Sequence, residues 1–294
     1  MAEHKMLRVL IEVKPKRFPT ELIEKDWSKR RCFNEISQEY CDGVSDLQLG
    51  DDDVWVVTLP KSGTTWMQEL TWLIQHDYDF ESAKQTSLNS RSPYLEFGQF
   101  LPFDDGDKFH TINSSTSPRL IKTHFPLPLL PIQVWKEKTK VIYVVRDPKD
   151  AFVSGYEFYK NFGFHSNYSL EEVILQTIAT QRNTNTYFQH ILEFYQLRHK
   201  PWVLYTSFER MKSNLDEVIL EVCQFLGKTI TNEQMQQMLH HLSFAEMKKN
   251  PHCNHEKEIK MVCEKRNIPL KEFIRKGEQE NIFREAKKHT HAGL

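Results

Sequence analysis

The chain has 294 residues, and its 39 Lys and Arg residues nearly balance its 40 Asp and Glu residues, for a net charge of −1. The length suits one sizeable domain, 1–294, and the absence of a block of like charge predicts no nucleic-acid partner. No segment approaches the apolar length of a membrane span, and the five cysteines are scattered without a C-x-x-C pair. We therefore expect a cytoplasmic protein with free thiols and no membrane contact.

The first predicted core element is a buried strand that continues through a basic loop into a helix. Val54 to Val57 form a short apolar run rich in β-branched residues, preceded by a polar turn at 51–53, and apolar residues from Trp66 to Ile74 recur at helical spacing. The free N–H groups at such a helix start favour a bound anion. The alternative is an ordinary capped turn. The residues predicted to bind a phosphate here are Lys61, Ser62, Gly63, Thr64 and Thr65.

Three further strands follow in the chain. Arg119 to Ile121 end in Lys122-Thr123-His124, Val141 to Val145 precede Arg146, and the last strand covers Trp202 to Tyr205. Between and after them, the spacing predicts helices that begin at caps and end at glycine: Ser169 with Glu172, Asn214 with Glu217, Thr231 with Gln234, and Gly227 as a helix end. Strands alternating with helices indicate an α/β domain with a central, mostly parallel sheet covered on both faces by helices.

The basic loop differs from the common nucleoside-triphosphate loop. That loop reads G-x-x-x-x-G-K-[ST], whereas here Lys61 precedes the glycine. The order PKSGTTW, from Pro60 to Trp66, instead resembles the 5′-phosphosulfate loop of the cytosolic sulfotransferases. Further motifs of that family follow in the same order near residues 91, 120, 146, 244 and 275, so that the resemblance covers nearly the whole chain.

The resemblance implies a P-loop-like fold and a donor, 3′-phosphoadenosine 5′-phosphosulfate (PAPS). Arg146 and Ser154 match the residues that bind its 3′-phosphate, while Trp66 and Phe244, beside Ser243, match those that hold the adenine. Phe208 replaces a tyrosine that contacts the adenine, which removes one phenol hydroxyl. A second phosphate loop is matched by Arg275, Lys276 and Gly277, but the sequence departs from the family immediately after them.

The catalytic residues come from the loop and from the second strand end. The resemblance makes His124 the catalytic histidine, and a neutral imidazole can accept the proton of an acceptor hydroxyl. Lys61 would stabilise charge on the leaving phosphate, and Lys122 would stabilise the transferring oxygens. The family's acceptor pocket is matched by Tyr94, Phe97, His124 and Phe158, for which core packing is the alternative.

The implied reaction transfers a sulfuryl group from PAPS to a hydroxyl or amine of a small acceptor, such as a phenol, steroid or retinoid, without a metal. It releases adenosine 3′,5′-bisphosphate. The alternatives are an ATP-dependent small-molecule kinase, with Asp147 holding magnesium, and a non-catalytic nucleotide-binding relative. A zinc site at His252, Cys253, His255 and Cys263 is a further alternative, although the spacing fits no standard pattern. The family's usual C-terminal dimer motif is not recognisable, which is compatible with a monomer or with a different homodimer.

Overall fold

The structure is a computed structural model that describes residues 12–23, 30–31, 37–96, 108–136, 138–161, 168–180 and 182–269. Four predicted site residues lie outside the described residues: Phe97, Arg275, Lys276 and Gly277. In the described part of the chain, no helix is both long enough and apolar enough to cross a bilayer.

The described strands form two sheets. β1 and β2 pair as a small antiparallel ribbon, and the other four form a parallel sheet in the order β4-β3-β5-β6. The strands are β1 (Glu12–Val13), β2 (Arg30–Arg31), β3 (Val54–Thr58), β4 (Leu120–Thr123), β5 (Lys140–Val145) and β6 (Val203–Ser207). The expected parallel sheet is confirmed.

Helices and short turns connect the strands and follow the last of them. The described helices are α1 (Gln38–Ser45), α2 (Thr64–Gln75), α3 (Phe80–Gln85), α4 (Leu88–Arg91), α5 (Lys108–Ser114), α6 (Ile132–Lys136), α7 (Pro148–Asn161), α8 (Leu170–Thr180), α9 (Arg182–Gln196), α10 (Phe208–Ser213), α11 (Leu215–Leu226), α12 (Asn232–His241), α13 (Phe244–Lys249) and α14 (Glu256–Arg266). A 3₁₀ turn at Leu127–Leu129 follows β4.

Alternate residues of the central strand enter two separate hydrophobic cores. Trp55 and Val57 pack on one face of the sheet with residues of α1, α6 and α9. Val54 and Val56 pack on the other face with residues of α2, α11 and α12. Because both faces are covered, every residue of β3 is buried. The expected α/β fold, with helices on both faces of the sheet, is therefore confirmed.

Several local predictions are also confirmed. Ser169 and Glu172 exchange reciprocal hydrogen bonds at the start of α8, and Thr231 and Gln234 do so at the start of α12. Gly227 ends α11 in the left-handed conformation, with φ of 71°. These short-range signals depend on contacts within one turn, so the sequence alone specifies them.

Three predictions need correction. The strand predicted at Arg119 to Ile121 is β4. It starts one residue later than expected and extends through Thr123, because Val57 pairs with Thr123 in the sheet. Asn214 begins α11, but its amide donates to Glu217 instead of accepting a backbone hydrogen bond. The predicted polar turn at 51–53 is present, but Asp53 is not exposed as its two neighbours are. It is fully buried and binds Arg119 through two carboxylate oxygens, each at 2.9 Å.

Candidate functional site

A cavity of about 580 Å³ opens where the parallel strands end. The loops after β3, β4 and β5 bring Lys61, His124 and Arg146 to this cavity, as expected for the carboxyl edge of a parallel sheet. All described site residues predicted from the sequence line it except Ser62, which is 1% exposed. Those that line it are Lys61, Gly63, Thr64, Thr65, Trp66, Tyr94, Lys122, His124, Arg146, Ser154, Phe158, Phe208, Ser243 and Phe244.

The loop after β3 is held in an unusual backbone conformation. Lys61 and Gly63 both have positive φ, of 68° and 94°, and Gly63 is the residue that precedes the first turn of α2. The Lys61 conformation is costly for a residue with a side chain, and it is stabilised by a 2.9 Å hydrogen bond from Arg146 Nη1 to the Lys61 carbonyl. Gly63, Thr64 and Thr65, at the start of α2, line the cavity, and the N-terminus of a helix favours an anion.

Arg146 connects the two predicted phosphate subsites. While one guanidinium nitrogen donates to the Lys61 carbonyl, the guanidinium carbon lies 4.3 Å from the centre of the Phe208 ring. Ser154, from α7, lines the same cavity as predicted. The planar guanidinium has five N–H donors, so the bond to Lys61 leaves capacity for an anion.

The side chain of His124 is held by Thr58, whose carbonyl and hydroxyl oxygens both lie within hydrogen-bond distance of Nδ1. Its Nδ1 lies 2.7 Å from the carbonyl of Thr58, so Nδ1 carries the proton and donates. In the neutral imidazole, Nε2 is then the basic nitrogen. Burial lowers the pKa of His124 well below its ordinary value, and the charge of Lys122 lowers it further. His124 is therefore neutral at physiological pH.

A buried carboxyl group that the sequence analysis did not identify holds the backbone of His124. Glu96 is 1% exposed, and its Oε1 accepts the His124 backbone N–H at 2.7 Å. Burial raises the pKa of Glu96 to about 7, even though that hydrogen bond favours the charged form. Glu96 stands two residues after Tyr94 in the sequence, but nothing in that spacing specifies its contact with His124.

The segment that follows His124 is fixed by α9. His190 Nε2 donates to the carbonyl of Phe125 at 3.1 Å, while its Nδ1 lies 2.9 Å from the hydroxyl of Tyr143. Glu193 accepts the backbone N–H of Leu127 at 3.0 Å. Both side chains are buried. The backbone of the predicted catalytic strand end is thus bound to rigid neighbours on both sides.

Both lysines of the predicted catalytic set lie over aromatic rings. Lys61 Nζ is 4.4 Å from the centre of the Phe158 ring, and Lys122 Nζ is 4.2 Å from the centre of the Tyr94 ring. Tyr94 also packs edge to face against His124, at 5.2 Å between ring centres. An isolated parallel β-bridge between Tyr94 and Lys122 lies at the β4 edge of the sheet. The predicted acceptor-lining aromatic residues therefore restrict the lysine side chains.

Four aromatic and polar residues surround the other part of the cavity. Trp66 and Phe208 meet edge to face, with ring centres 5.9 Å apart, and Phe244 is 40% exposed. Ser243 caps α13 by accepting the N–H of Glu246. Apolar residues not anticipated from the sequence complete this wall, including Met211, Leu239 and Met247. A flat, uncharged group such as a purine fits between such surfaces.

The electrostatics of the cavity favour an anion. The described lining residues include four with basic side chains, Lys61, Lys122, Arg146 and Lys212, and none with a carboxylate. Positive groups without intervening acids, together with a helix N-terminus, suit phosphate or sulfate groups. Among the described residues, no cluster of three His, Cys, Asp or Glu side chains is placed to hold a metal ion.

The comparison with protein families decides the identity of the fold. The model of the sulfotransferase domain matches residues 51–289. The chain belongs to the sulfotransferase family. This sulfotransferase is 34% identical to mouse sulfotransferase 1 family member D1 over 241 residues, which cover 81% of this chain and 79% of the mouse protein.

Solved structures similar to this sulfotransferase contain a nucleotide. Retinol dehydratase in complex with retinol and PAP is 26% identical, with a TM-score of 0.71, and the match covers 87% of this chain and 83% of that chain. The same protein in complex with androsterone and inactive cofactor PAP gives a TM-score of 0.73 at 26% identity, covering 86% and 82%. The resemblance inferred from the PKSGTTW loop is thus confirmed, and this sulfotransferase is a transferase by family.

Proposed function

We propose that this sulfotransferase transfers a sulfuryl group from PAPS to a hydroxyl or amine of a small, mostly apolar acceptor, and releases adenosine 3′,5′-bisphosphate. The observation that carries the proposal is the arrangement at His124. Its Nδ1 donates to Thr58, so that Nε2 is the basic nitrogen in a cavity that also contains Lys61 and Lys122. A base beside two cations suits the transfer of an anionic group.

The donor fits the residues present. The positive loop, with the N-terminus of α2, suits the 5′-phosphate, while Arg146 and Ser154 suit the 3′-phosphate. Trp66 and Phe244 would hold the adenine. The similar structures in complex with PAP support this assignment. The roles of Arg275, Lys276 and Gly277, outside the described residues, stay sequence predictions.

The donor supplies the activated sulfuryl group, and the protein supplies a base and positive charge. His124 Nε2 would take the proton from the acceptor as the new bond to sulfur forms, which is worth about 10²–10⁴ in rate for a positioned base. Lys61, at the start of the loop, would stabilise the negative charge of the leaving phosphate. Lys122 would stabilise the oxygens in transfer, because it is held close to His124.

An aromatic and aliphatic wall supports a small apolar acceptor. Tyr94 and Phe158 line the cavity near the catalytic side chains, and the remaining lining is mostly apolar. Retinol and androsterone occupy the similar structures, and a curated relative that is 33% identical is a luciferin sulfotransferase of Photinus pyralis. We propose a phenol, steroid, retinoid or similar alcohol as the acceptor. We also propose that the protein is cytoplasmic.

Two rival functions are less well supported. In a kinase, Asp147 would hold magnesium, but its carboxylate accepts the N–H of Lys149 at the start of α7 and does not line the cavity. A non-catalytic relative would keep the donor site without the reaction. This alternative is considered because the sequence departs from the family after Gly277 and because Phe208 replaces the family's tyrosine. Both rivals predict a different result in the same assay.

The decisive experiment incubates the purified protein with ³⁵S-labelled PAPS and a panel of phenols, steroids, retinoids and amines. We expect labelled acceptor with the native protein and none with His124→Ala, while adenosine 3′,5′-bisphosphate binds both equally. His199→Ala, at an exposed histidine, is the matched control and should retain activity. Donor binding without turnover of any acceptor would favour the non-catalytic relative, and magnesium-dependent competition by ATP would favour the kinase.

A further inference from the structure

The hydroxyl of Thr65 in the phosphate-binding loop has a partner from a distant part of the chain. Thr65 Oγ1 lies 3.2 Å from Nε2 of His255, which is 190 residues away in the sequence. His255 immediately precedes α14 and adopts the left-handed conformation, with φ of 55°. Thr65 lines the cavity, so this contact joins α14 directly to the proposed donor site.

A second contact determines which nitrogen of His255 carries the proton. The side-chain nitrogen of Asn89, in α4, lies 3.4 Å from His255 Nδ1. An amide nitrogen can only donate, so Nδ1 must accept. In a neutral imidazole the proton then resides on Nε2, which donates to Thr65 Oγ1. Thr65 Oγ1 is therefore an acceptor toward His255.

His255 stays neutral in this environment. Burial lowers its pKa to about 3, and the positive charges of Lys122 and Lys61 contribute to the shift. The imidazole is thus in one protonation state across the physiological range. The frame around it is also fixed, because the N–H of Leu88 donates to the His252 carbonyl at 2.7 Å and the Asn254 amide donates to the Lys248 carbonyl at 3.0 Å.

We propose that Asn89 and His255 form a relay that turns the Thr65 hydroxyl hydrogen toward the anion in the cavity. The inference rests on the proposed function, because it assumes that the loop binds a phosphate of the donor. A hydroxyl that accepts a hydrogen bond from Nε2–H keeps its own hydrogen for another partner. Phosphate oxygens only accept, so this orientation suits them. Asn89 and His255 are positioning residues that act on the donor through Thr65.

The first test is a double-mutant cycle on Thr65 and His255, read by calorimetric titration with adenosine 3′,5′-bisphosphate. His255→Asn keeps a residue that tolerates the left-handed conformation, but its side chain is too short to reach Thr65. Thr65→Val removes the hydroxyl at nearly constant shape. Each single variant should weaken binding by about three- to tenfold. The double variant should bind no more weakly than Thr65→Val alone, because the relay acts only through that hydroxyl. Equal losses from His255→Asn in both backgrounds, or no loss, would overturn the relay.

The second test reverses the relay without altering His255. In Asn89→Asp, the carboxylate accepts a hydrogen bond from Nδ1–H, so that Nε2 carries no proton and becomes an acceptor that draws the Thr65 hydrogen away from the phosphate. Asn89→Leu is the control that removes the amide without reversing the direction. We expect Asn89→Asp to bind adenosine 3′,5′-bisphosphate several-fold more weakly than Asn89→Leu, and this difference should shrink in the Thr65→Val background. A difference that persists there reflects the added charge alone and contradicts the relay.

Failure of the relay and failure of the proposed function give different results. If Lys61→Ala weakens bisphosphate binding but Thr65→Val does not, the loop binds the phosphate and the relay is wrong. If neither variant changes the affinity, the loop does not bind the donor, and the proposed function fails together with the inference. Circular dichroism and thermal unfolding of every variant check that each one is folded.

Discussion

The ring of Phe208 occupies the space that any side chain on Gly63 would need. A Cβ placed on Gly63 would lie 2.9 Å from Cδ2 of Phe208, which is closer than non-bonded carbon atoms approach. Gly63 also has φ of 94°, a conformation that disfavours side chains. The loop after β3 and the first residue of α10 therefore fit together only with glycine at this position.

Gly63→Ala should disrupt the loop. The left-handed conformation costs about 1–2 kcal/mol for a residue with Cβ, and the contact with Phe208 adds to this cost. We expect a lower melting temperature and at least a tenfold loss of affinity for adenosine 3′,5′-bisphosphate. Gly155→Ala is the matched control, since a Cβ there meets no atom within 4 Å. Because Gly155 lies within α7, its replacement by alanine should leave the free energy of unfolding unchanged or raise it by up to about 1 kcal/mol. Equal effects of the two substitutions would contradict the argument.

The protonation of His124 should depend on Lys122. Burial and the charge of Lys122 hold the pKa of His124 well below its ordinary value, so the imidazole should titrate at a lower pH than an ordinary histidine. Lys122→Met removes the positive charge, and the pKa of His124 should rise because protonation then meets less repulsion. Nuclear magnetic resonance of the ¹⁵N-labelled imidazole follows both proteins directly. An unchanged titration in Lys122→Met would show that burial alone sets the shift.

Glu96 should make stability depend on pH in the opposite sense to an ordinary ion pair. Its pKa rises from 4.5 to about 7 on folding, so the folded protein retains a proton that the unfolded chain releases. The contribution to stability is complete below about pH 4.5 and is lost as the pH rises to about 7, by on the order of 3 kcal/mol at most. Glu96→Gln keeps an acceptor for the His124 N–H without the titration.

The measurement is the difference in unfolding free energy between the native protein and Glu96→Gln, determined with urea from pH 4.5 to pH 8. The native protein should lose stability relative to the variant as the pH rises, with most of the loss complete by the upper end of this range. The hydrogen bonds from His124, from Thr123 and from the backbone of Glu96 itself, together with the charge of Lys122, lower the pKa of Glu96 and oppose this loss. A constant difference across the range would mean that Glu96 ionises in the folded protein as it does in the unfolded chain.

Arg146 should discriminate between nucleotides with and without a 3′-phosphate. Arg146→Lys keeps the charge but loses the planar fork that donates to the Lys61 carbonyl and rests on Phe208. We expect affinity for adenosine 3′,5′-bisphosphate to fall about 10- to 100-fold. Affinity for adenosine 5′-monophosphate should change much less. An equal loss for both ligands would place the effect on the loop conformation instead of on the 3′-phosphate.

Restoring a phenol at position 208 tests the adenine contact inferred from the family. Phe208→Tyr adds one hydroxyl at a residue that lines the cavity beside Trp66. One additional hydrogen bond would raise affinity for adenosine nucleotides by about two- to tenfold, or about 0.5–1.5 kcal/mol. Calorimetry with inosine 3′,5′-bisphosphate, which lacks the exocyclic amine, is the control. The same gain with the inosine nucleotide would exclude a bond to that amine.

The sequence was sufficient to predict the sheet and most of the residues that we named for the site and that line the cavity. Val54 to Val57 predicted the central strand because a continuous apolar run is typical of a strand that is buried on both faces. Lys61, His124 and Arg146 were predicted to meet because each follows a parallel strand. These conclusions depend on short-range pattern and on a general rule for the edge of such sheets.

The sequence did not predict contacts between side chains that are distant in the chain. The predicted polar turn at 51–53 precedes β3, but the sequence did not predict that Asp53 is buried and binds Arg119. The bonds from Glu96 to His124 and from His255 to Thr65 join segments 28 and 190 residues apart. The periodicity of the sequence predicts helices and strands, but it does not predict which distant side chains meet when these elements pack together.

The placement of Lys61 over Phe158 and of Lys122 over Tyr94 restricts how the protein can acquire a new substrate. Each ring, which we propose to line the acceptor site, also attracts an amino group, by roughly 0.5–2 kcal/mol. Exchanging either ring for an aliphatic residue to admit a bulkier molecule would loosen that amino group at the same time. Selection for a different acceptor would therefore favour the exchange of one aromatic residue for another at these two positions.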